Sequence, residues 1–391
     1  MLRYFTTGES HGEALVAVLS GMPAGLRVDQ AFVDRELWRR QQGYGRGGRM
    51  KIERDTAHIL SGVRHGITIG SPISILLENK DWKNWQDSLP VGEGDPAQHK
   101  RVPSPRPGHA DLAGAVKYNF PEARYVLERA SARESAARVA IGALAKLLLR
   151  ELGIEVLSHV IVVGGVTLGN KEIPWERIRA LAQREEILLS CADPEAEQRM
   201  KEEVDNVLKT GDSVGGVFEV VAHGVPPGLG TYAQWDERLD ALLAAAVMSL
   251  QAVKAVEIGI GVTAAGSAGS AVHDEIGYTK TAGFTGFTRS HNNAGGIEGG
   301  VSNGEEIRIR GYLKPISTLR RPLQSVDFAT REPVKAAYER SDVCVVPAAG
   351  VAAEAMVALT LARCALEKFG GDSMGETLRN FQGYCQQIKN Y

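Results

Sequence analysis

The chain has 391 residues, 43% hydrophobic and 24% charged, with a formal net charge of −2 at pH 7. That length can bury a large core, and that composition belongs to an ordinary folded globular chain rather than a disordered or fibrous one. The near-neutral balance excludes a surface coated in basic charge for wrapping nucleic acid, while leaving room for a local basic pocket.

Taken in order, residues 12–22 read as a strand built on Ala14-Leu-Val-Ala-Val-Leu19. Asp29 predicts the cap of a helix running to about Gln41, with Val33, Leu37 and Trp38 on its apolar side. The glycine-rich segment 43–49 follows, then short strands at 50–53, 57–62 and 72–78. Residues 80–99 read as a polar surface segment tacked down by Trp82 and Trp85. Prolines and a glycine between Pro103 and Gly108 forbid regular structure, which places Arg106, His109 and Asp111 on a stiff loop. The clearest helix signal covers 130–152. It puts Arg129, Ser131 and Arg133 at the helix start, Arg138 and Lys146 on wet flanks and Gly153 at the end. Gly142 inside it predicts close packing against another backbone.

Beyond it, 154–166 predicts one or two β-branched strands, Pro174 opens a short helix, and 195–209 predicts a charged amphipathic helix. Residues 214–223 read as a strand, 235–254 as a long helix and 255–263 as a strand. Residues 264–303 are rich in Gly, Ser, Thr and Asn without helical periodicity, a composition and length that point to function. A half-buried strand at 305–313 and closing helices at 348–369 and 374–390 complete the chain. The apolar region 239–262 is broken by Asp240, Gln251, Lys254 and Glu257, so it reads as a buried helix and strand, not a membrane span. No linker cuts the chain, which predicts a single domain over 1–391. Strands of antiparallel type around very apolar helices favour an α+β layered fold. A faint echo between 66–76 and 212–221 points to two similar halves. No signal-peptide pattern opens the sequence, and Cys191, Cys344, Cys364 and Cys385 lack metal or redox spacing. Both point to a reducing, cytoplasmic setting, with Cys344 and Cys364 as core thiols.

Two glycine motifs mislead. Gly43-Tyr-Gly-Arg-Gly-Gly48 spells a dinucleotide fingerprint, but a helix precedes it and a strand follows, the reverse of what that fold needs. Gly259-Ile-Gly-Val-Thr-Ala264 follows a strand but runs into Ala-Gly-Ser repeats instead of a helix.

Several constellations can carry chemistry, each with a plainer structural alternative. His11 lies in Gly8-Glu-Ser-His-Gly-Glu13, as a titrating group or as part of a turn before a strand. Arg39, Arg40, Arg46 and Arg49 form either an anion-gripping cluster or a solvated basic helix end. Arg106, His109, Arg129 and Arg133 crowd a short span that suits an anionic substrate and a proton transfer. The alternative there is a proline-stiffened loop with a capping Ser131. The stretch Asn292-Asn-Ala-Gly-Gly-Ile-Glu-Gly-Gly300 exposes N–H groups suited to phosphate or a flat ring, or is a mobile turn. Lys314-Pro-Ile-Ser-Thr318 suits a phosphate tail or is a strand exit. Asp342 enters an apolar strand, as a tuned carboxylate or as a cap paired with Arg340. No His/Cys/Asp set has metal spacing.

Taken together and in this order, these segments resemble the chorismate synthase family. The matching pieces are Gly8–Gly12, Gly43–Arg49, Arg106–Asp111, Arg129–Glu134, Asn292–Ile297, Lys314–Thr318 and Arg340–Cys344, which span essentially the whole chain. The resemblance implies a β-α-β sandwich, with two antiparallel sheets flanking a helical layer, and a homotetramer. It implies conversion of 5-enolpyruvylshikimate-3-phosphate to chorismate and phosphate by an anti-1,4-elimination that requires reduced FMN without net redox change. That elimination breaks an unactivated C–H bond, and reduced flavin can give electron donation that side chains cannot. The carry-over makes His11 the residue that protonates the reduced flavin, and His109 the one that protonates the leaving phosphate. Asp342 becomes the residue that helps remove the substrate proton by way of the flavin.

Arg40, Arg46, Arg49, Arg106 and Arg133 are the candidates to hold a substrate with two carboxylates and a phosphate. FMN falls to Arg129, Ala130, Ser131, Gln251, Ala252, Gly296, Lys314, Pro315, Ile316, Ser317, Thr318 and Arg340. Arg40 and Arg46 also match positions the family gives to NADP, with NADPH as a candidate source of reducing equivalents. Many members have Arg-Ser-Ser where this chain has Arg129-Ala-Ser131, so Ala130 offers only backbone or packing. No segment for reducing flavin stands out, which implies an external flavin reductase. The competing expectations are a flavin reductase using the same pocket and an Arg/Gly RNA-binding module. Charge balance and sparse aromatics count against the latter, and no nucleic-acid or membrane partner is expected.

Overall fold

A computed structural model of the chain describes residues 1–47, 54–169, 172–339 and 341–391. The expected strand at 50–53, Arg49 and Arg340 lie outside the described residues. The first sheet contains β1 (Arg3–Thr7), β2 (Ala14–Ser20), β3 (His58–Ile59) and β4 (Ile73–Glu78), in the order β1-β2-β4-β3 and antiparallel throughout. Its register sets Leu15 opposite Leu77, Ala17 opposite Ile75 and Leu19 opposite Ile73, so strand alternation gives one wholly apolar, buried face.

The second sheet contains β5 (Glu155–Val163), β6 (Val166–Thr167), β7 (Gly216–His223), β8 (Val253–Ile258) and β9 (Ile307–Leu313). Its order is β8-β9-β7-β5-β6, again antiparallel. The α+β reading therefore holds.

The longer helices pack on these sheets and on one another. The helices include α1 (Gln30–Gln41), α2 (Asp111–Tyr118), α3 (Arg124–Ala130), α4 (Ser135–Glu151), α5 (Trp175–Ala182), α6 (Pro194–Thr210), α7 (Leu239–Met248), α8 (Val346–Phe369) and α9 (Met374–Lys389). Helix α4 packs on β2 and β4, helix α8 packs on β5 and β7, and α4 and α8 pack on each other. Gly142 carries that contact: a Cβ there would stand 2.3 Å from the Cβ of Ala355. Helix α8 is long and apolar enough to cross a membrane, but 78% of its most apolar window is buried inside the protein.

Four expectations need correction. The helix expected at 130–152 is two helices, because Ser131 is extended (φ −61°, ψ 139°) and its hydroxyl caps a short 3-10 turn before α4. The helix expected at 235–254 shrinks to α7, and the following strand starts at Val253 and stops at Ile258. The 264–303 stretch is not plain loop; it contains a helical turn at Gly269–Val272 and short hairpins, and another turn, Gly261–Ala265, runs into its start. Lys146 is not on a wet flank. It is buried and ion-paired with Glu36 and Glu354, which also bind Arg39 at 2.8 and 2.7 Å. This network ties α1, α4 and α8 together, so Arg39 points into the core and α1 has no solvated basic end. Cys344 and Cys364 are buried, and burial pushes their thiols up to about 11 and about 12, as core thiols should be.

Candidate functional site

His11 sits in the turn between β1 and β2. Gly8 makes that turn at φ +93°, where a Cβ would stand 2.3 Å from the carbonyl oxygen of Ala14. The turn lies over α3. The Ser10 N–H donates to the Glu128 carbonyl at 2.9 Å, and the His11 N–H donates to Glu128 Oε2 at 2.8 Å. The ring stands with Nδ1 2.9 Å from Glu128 Oε1 and its face 4.0 Å from the Trp85 ring. Burial alone would raise the Glu128 carboxyl, but hydrogen bonds from His11 and the charge of Arg124 hold it below the usual carboxylate range. Trp85 thus does more than tack down a surface segment.

The last turn of α1 supplies Arg40, which is buried beside Arg133, Arg46, Asp55 and Asp342. Arg133 is held by Asp55 at 2.6 and 2.7 Å and by Asn79 at 3.0 Å. Arg40 reaches Asp55 only at 3.9 Å, and among the described residues its Nε and Nη2 have no hydrogen-bond partner. Burial first, and the neighbouring guanidinium groups next, push Arg40 down to about 10 despite Asp55. Asp342 accepts from the Gly47 N–H at 2.5 Å and lies 3.0 Å from Arg46 Nη1.

The proline-stiffened loop ends where α2 begins, with Asp111 as the first helical residue rather than a loop residue. Arg106 donates to Asp111 through its backbone N–H, Nε and Nη2 at 3.0, 2.8 and 3.0 Å, and to Thr318 Oγ1 through Nη1 at 3.0 Å. His109 Nδ1 lies 2.5 Å from Asp111 Oδ1. Lys314 donates to the Gly108 carbonyl at 2.7 Å and to Ser317 Oγ at 3.0 Å. Burial and nearby Lys254 lower the Lys314 ammonium, and among the described residues no carboxylate pairs with it.

Glu134 draws other sequence-predicted residues together. It accepts from Thr6 at 2.7 Å, from Arg138 at 2.9 Å and from Gln251 at 3.1 Å, and Arg129 stands 3.8 Å away. Ala252, at φ +69°, accepts from the Lys314 N–H at 3.0 Å, which joins this group to the lysine loop. Ala130 closes α3.

Backbone contacts link the parts. Val343 donates to the Gly45 carbonyl at 2.8 Å and accepts from Val214 at 3.0 Å, while Ser213 Oγ donates to the Ile316 carbonyl at 2.6 Å. Asp342 thereby connects to the 314–318 loop, whose Thr318 holds Arg106 beside His109. On the other side, Ser10 Oγ meets Ser131 Oγ at 3.2 Å, and the Arg133 N–H bonds that hydroxyl at 3.3 Å. Gly296 stays apart. A Cβ on it would lie 2.6 Å from the Glu306 carbonyl, at the end of β9 opposite Lys314, about 26 Å away along the strand. A cavity of about 700 Å³ opens at that distant end, lined by residues including Trp175, His223, Asn292 and Arg308, of which Asn292 belongs to the candidate stretch 292–300.

Sequence reasoning missed Asp55, Asn79, Glu128 and Glu134, the acceptors that hold the site's cations. Glu134 stood within a quoted motif; the other three become visible only once distant segments meet.

A family model for chorismate synthase matches residues 2–366. Chorismate synthase of Koribacter versatilis is 75% identical over 393 residues, covering 100% of both chains. That of Acidobacterium capsulatum is 68% identical over 394 residues, again covering 100% of both. The chain belongs to the chorismate synthase family. A crystal structure of a chorismate synthase superposes with a TM-score of 0.79 at 40% identity, covering 100% of this chain and 99% of that one. That match covers the whole chain, so the loops described above stand on a chorismate synthase fold.

Proposed function

We propose that the chain is a carbon–oxygen lyase that converts 5-enolpyruvylshikimate-3-phosphate to chorismate and phosphate by anti-1,4-elimination, with reduced FMN. The observation that carries this reading is Arg40: a buried guanidinium whose Nε and Nη2 have no hydrogen-bond partner among the described residues, beside Arg133 and Arg46. Such a group is costly unless an anion arrives, and the substrate is an anion three times over. Arg40 and Arg46 grip it directly. Arg106 and Arg133 are already committed to Asp111 and Asp55 and act as the charged frame of the pocket. His109 hands a proton to the leaving phosphate oxygen, and Asp342 offers a carboxylate for proton removal. His11 protonates from the Trp85 side of the pocket.

The residues present also fit the flavin. Lys314, Lys254 and Ser317 form a cationic, hydroxyl-bearing corner suited to its phosphate, while Arg129, Ser131, Gln251 and Ala252 lie on adjoining segments. Bound there, reduced FMN supplies the electron density that helps the C–O bond break. Gly296 lies far from this corner within one copy, which is compatible with a neighbouring copy supplying it in the homotetramer that the family resemblance implies. Two sheets about α4 and α8 support a single β-α-β sandwich domain over 1–391, with β4 and β7 as counterparts in a pseudo-twofold. Free thiols at all four cysteines support a cytoplasmic setting, with an external flavin reductase and NADPH behind it.

The test is anaerobic incubation with photoreduced FMN and substrate. Phosphate and chorismate form together, without stoichiometric NADPH consumption. NADPH consumed one-for-one without phosphate release would make the chain a reductase instead.

A further inference from the structure

Asp111 is a fully buried carboxylate at the first position of α2. One oxygen, Oδ2, takes the backbone N–H and Nε of Arg106. The other, Oδ1, takes Arg106 Nη2 at 3.0 Å and faces His109 Nδ1 at 2.5 Å. Burial alone would raise this carboxyl, but bonds from His109 and Arg106 drive it far below the usual range, so it stays ionised.

That contact decides where the imidazole carries its proton. Were Nδ1 unprotonated, its lone pair would face a carboxylate oxygen at 2.5 Å, an arrangement of two acceptors with no hydrogen between them. Arg106 Nη2 also stands 3.0 Å from Nδ1 and carries two N–H groups, one of them bound to Asp111, but donation by the second would still leave the closer 2.5 Å contact between Nδ1 and the carboxylate with no hydrogen in it. The consistent assignment is Nδ1–H donating to Asp111. Nε2 is then the nitrogen that exchanges a proton with a ligand.

We infer that Asp111 is a positioning residue: it fixes His109 as the Nδ1–H form and assigns proton transfer to Nε2. This rests on the reading of His109 as the proton donor to phosphate. As the C–O bond breaks, its electron pair leaves with the phosphate oxygen. The Nε2–H bond breaks, its pair staying on nitrogen, and an O–H bond forms. The ring ends neutral, with its remaining proton on Nδ1 against Asp111. The same design recurs at His11, where Glu128 Oε1 faces Nδ1 at 2.9 Å and Oε2 accepts the backbone N–H. Both histidines thus present the same ring edge to a buried carboxylate.

Two measurements test it. In the unaltered protein, labelled with nitrogen-15 in histidine, long-range proton–nitrogen correlation at alkaline pH should show His109 protonated at Nδ1, with the signal assigned by its loss in His109→Ala. Protonation at Nε2 overturns the inference without needing any Asp111 variant. Second, Asp111→Asn should lower kcat about ten- to a hundredfold with KM changed by less than about threefold. In a His109→Ala background the same change should cost nothing further. An equal loss in both backgrounds, or a loss confined to KM, overturns the positioning role. If His109→Ala alone keeps full turnover, the functional reading of His109 fails, whatever its ring protonation.

Discussion

Arg40→Met gives the sharpest test of the anion pocket, because it should move stability and function in opposite directions. Methionine keeps a long, flexible apolar stem and removes the charge and the unanswered N–H groups. An ordinary guanidinium titrates at 12.5 and Arg40 at about 10. At roughly 1.4 kcal/mol per tenfold, the folded protein pays about 3 kcal/mol to keep Arg40 charged in the absence of ligand. Asp55 stays neutralised by Arg133 at 2.6 and 2.7 Å, so the change orphans no carboxylate. After relaxation, the ligand-free variant should gain about 1–3 kcal/mol of stability. Urea unfolding followed by tryptophan fluorescence reads this as a higher midpoint. In turnover assays the substrate KM should rise about a hundredfold, the loss of a buried charge-assisted contact. A variant that is less stable, with an unchanged KM, would show that Arg40 is a structural cation and sink the argument.

His109→Ala and Asp342→Ala should each lower turnover about a hundredfold or more while FMN still binds, as read by flavin fluorescence titration; near-normal turnover in both removes those assignments. Lys146→Met should cost about 3–5 kcal/mol in chemical denaturation, because Glu36 and Glu354 are left sharing Arg39 in the core; a loss below about 1 kcal/mol would mean that water reaches the network. Gly142→Val should destabilise by about 1–3 kcal/mol or more, since its Cβ has no room against Ala355, and a neutral result would contradict the α4–α8 contact. Glu219 is depressed to about 2: burial would raise it, but His159, Arg308 and Arg310 outweigh burial. A carboxylate lowered in the fold adds stability that is complete above its unfolded value, near 4.5, and fades as pH falls towards about 2. Glu219→Gln should flatten the acid limb of the unfolding curve in that window, and an unchanged limb would place the acid sensitivity elsewhere.

Much of the local structure could be read directly from residue order. Asp29 caps α1 through a side-chain bond to the Phe32 N–H, Gly142 marks the tightest helix contact, and the prolines before Gly108 stiffen the His109 loop. These follow from rules that act within a few residues: cap chemistry, missing side chains, fixed ring torsions. The motifs also named several loops that the fold joins by hydrogen bonds.

What each cation does was settled only by packing. Arg39 and Arg40 are neighbours in sequence, yet one is neutralised in the core by Glu36 and Glu354 and the other is left short of acceptors. Lys146 looked like a wet-flank residue because periodicity records spacing and not the partner opposite. Ser131 interrupts the expected helix where its hydroxyl caps the next turn through the Arg133 N–H, and the bond to Ser10 that joins it there comes from a segment no local window contains. Electrostatics in a buried pocket depends on which opposite charge arrives within a few ångströms, and that distance is set by segments far apart in the chain.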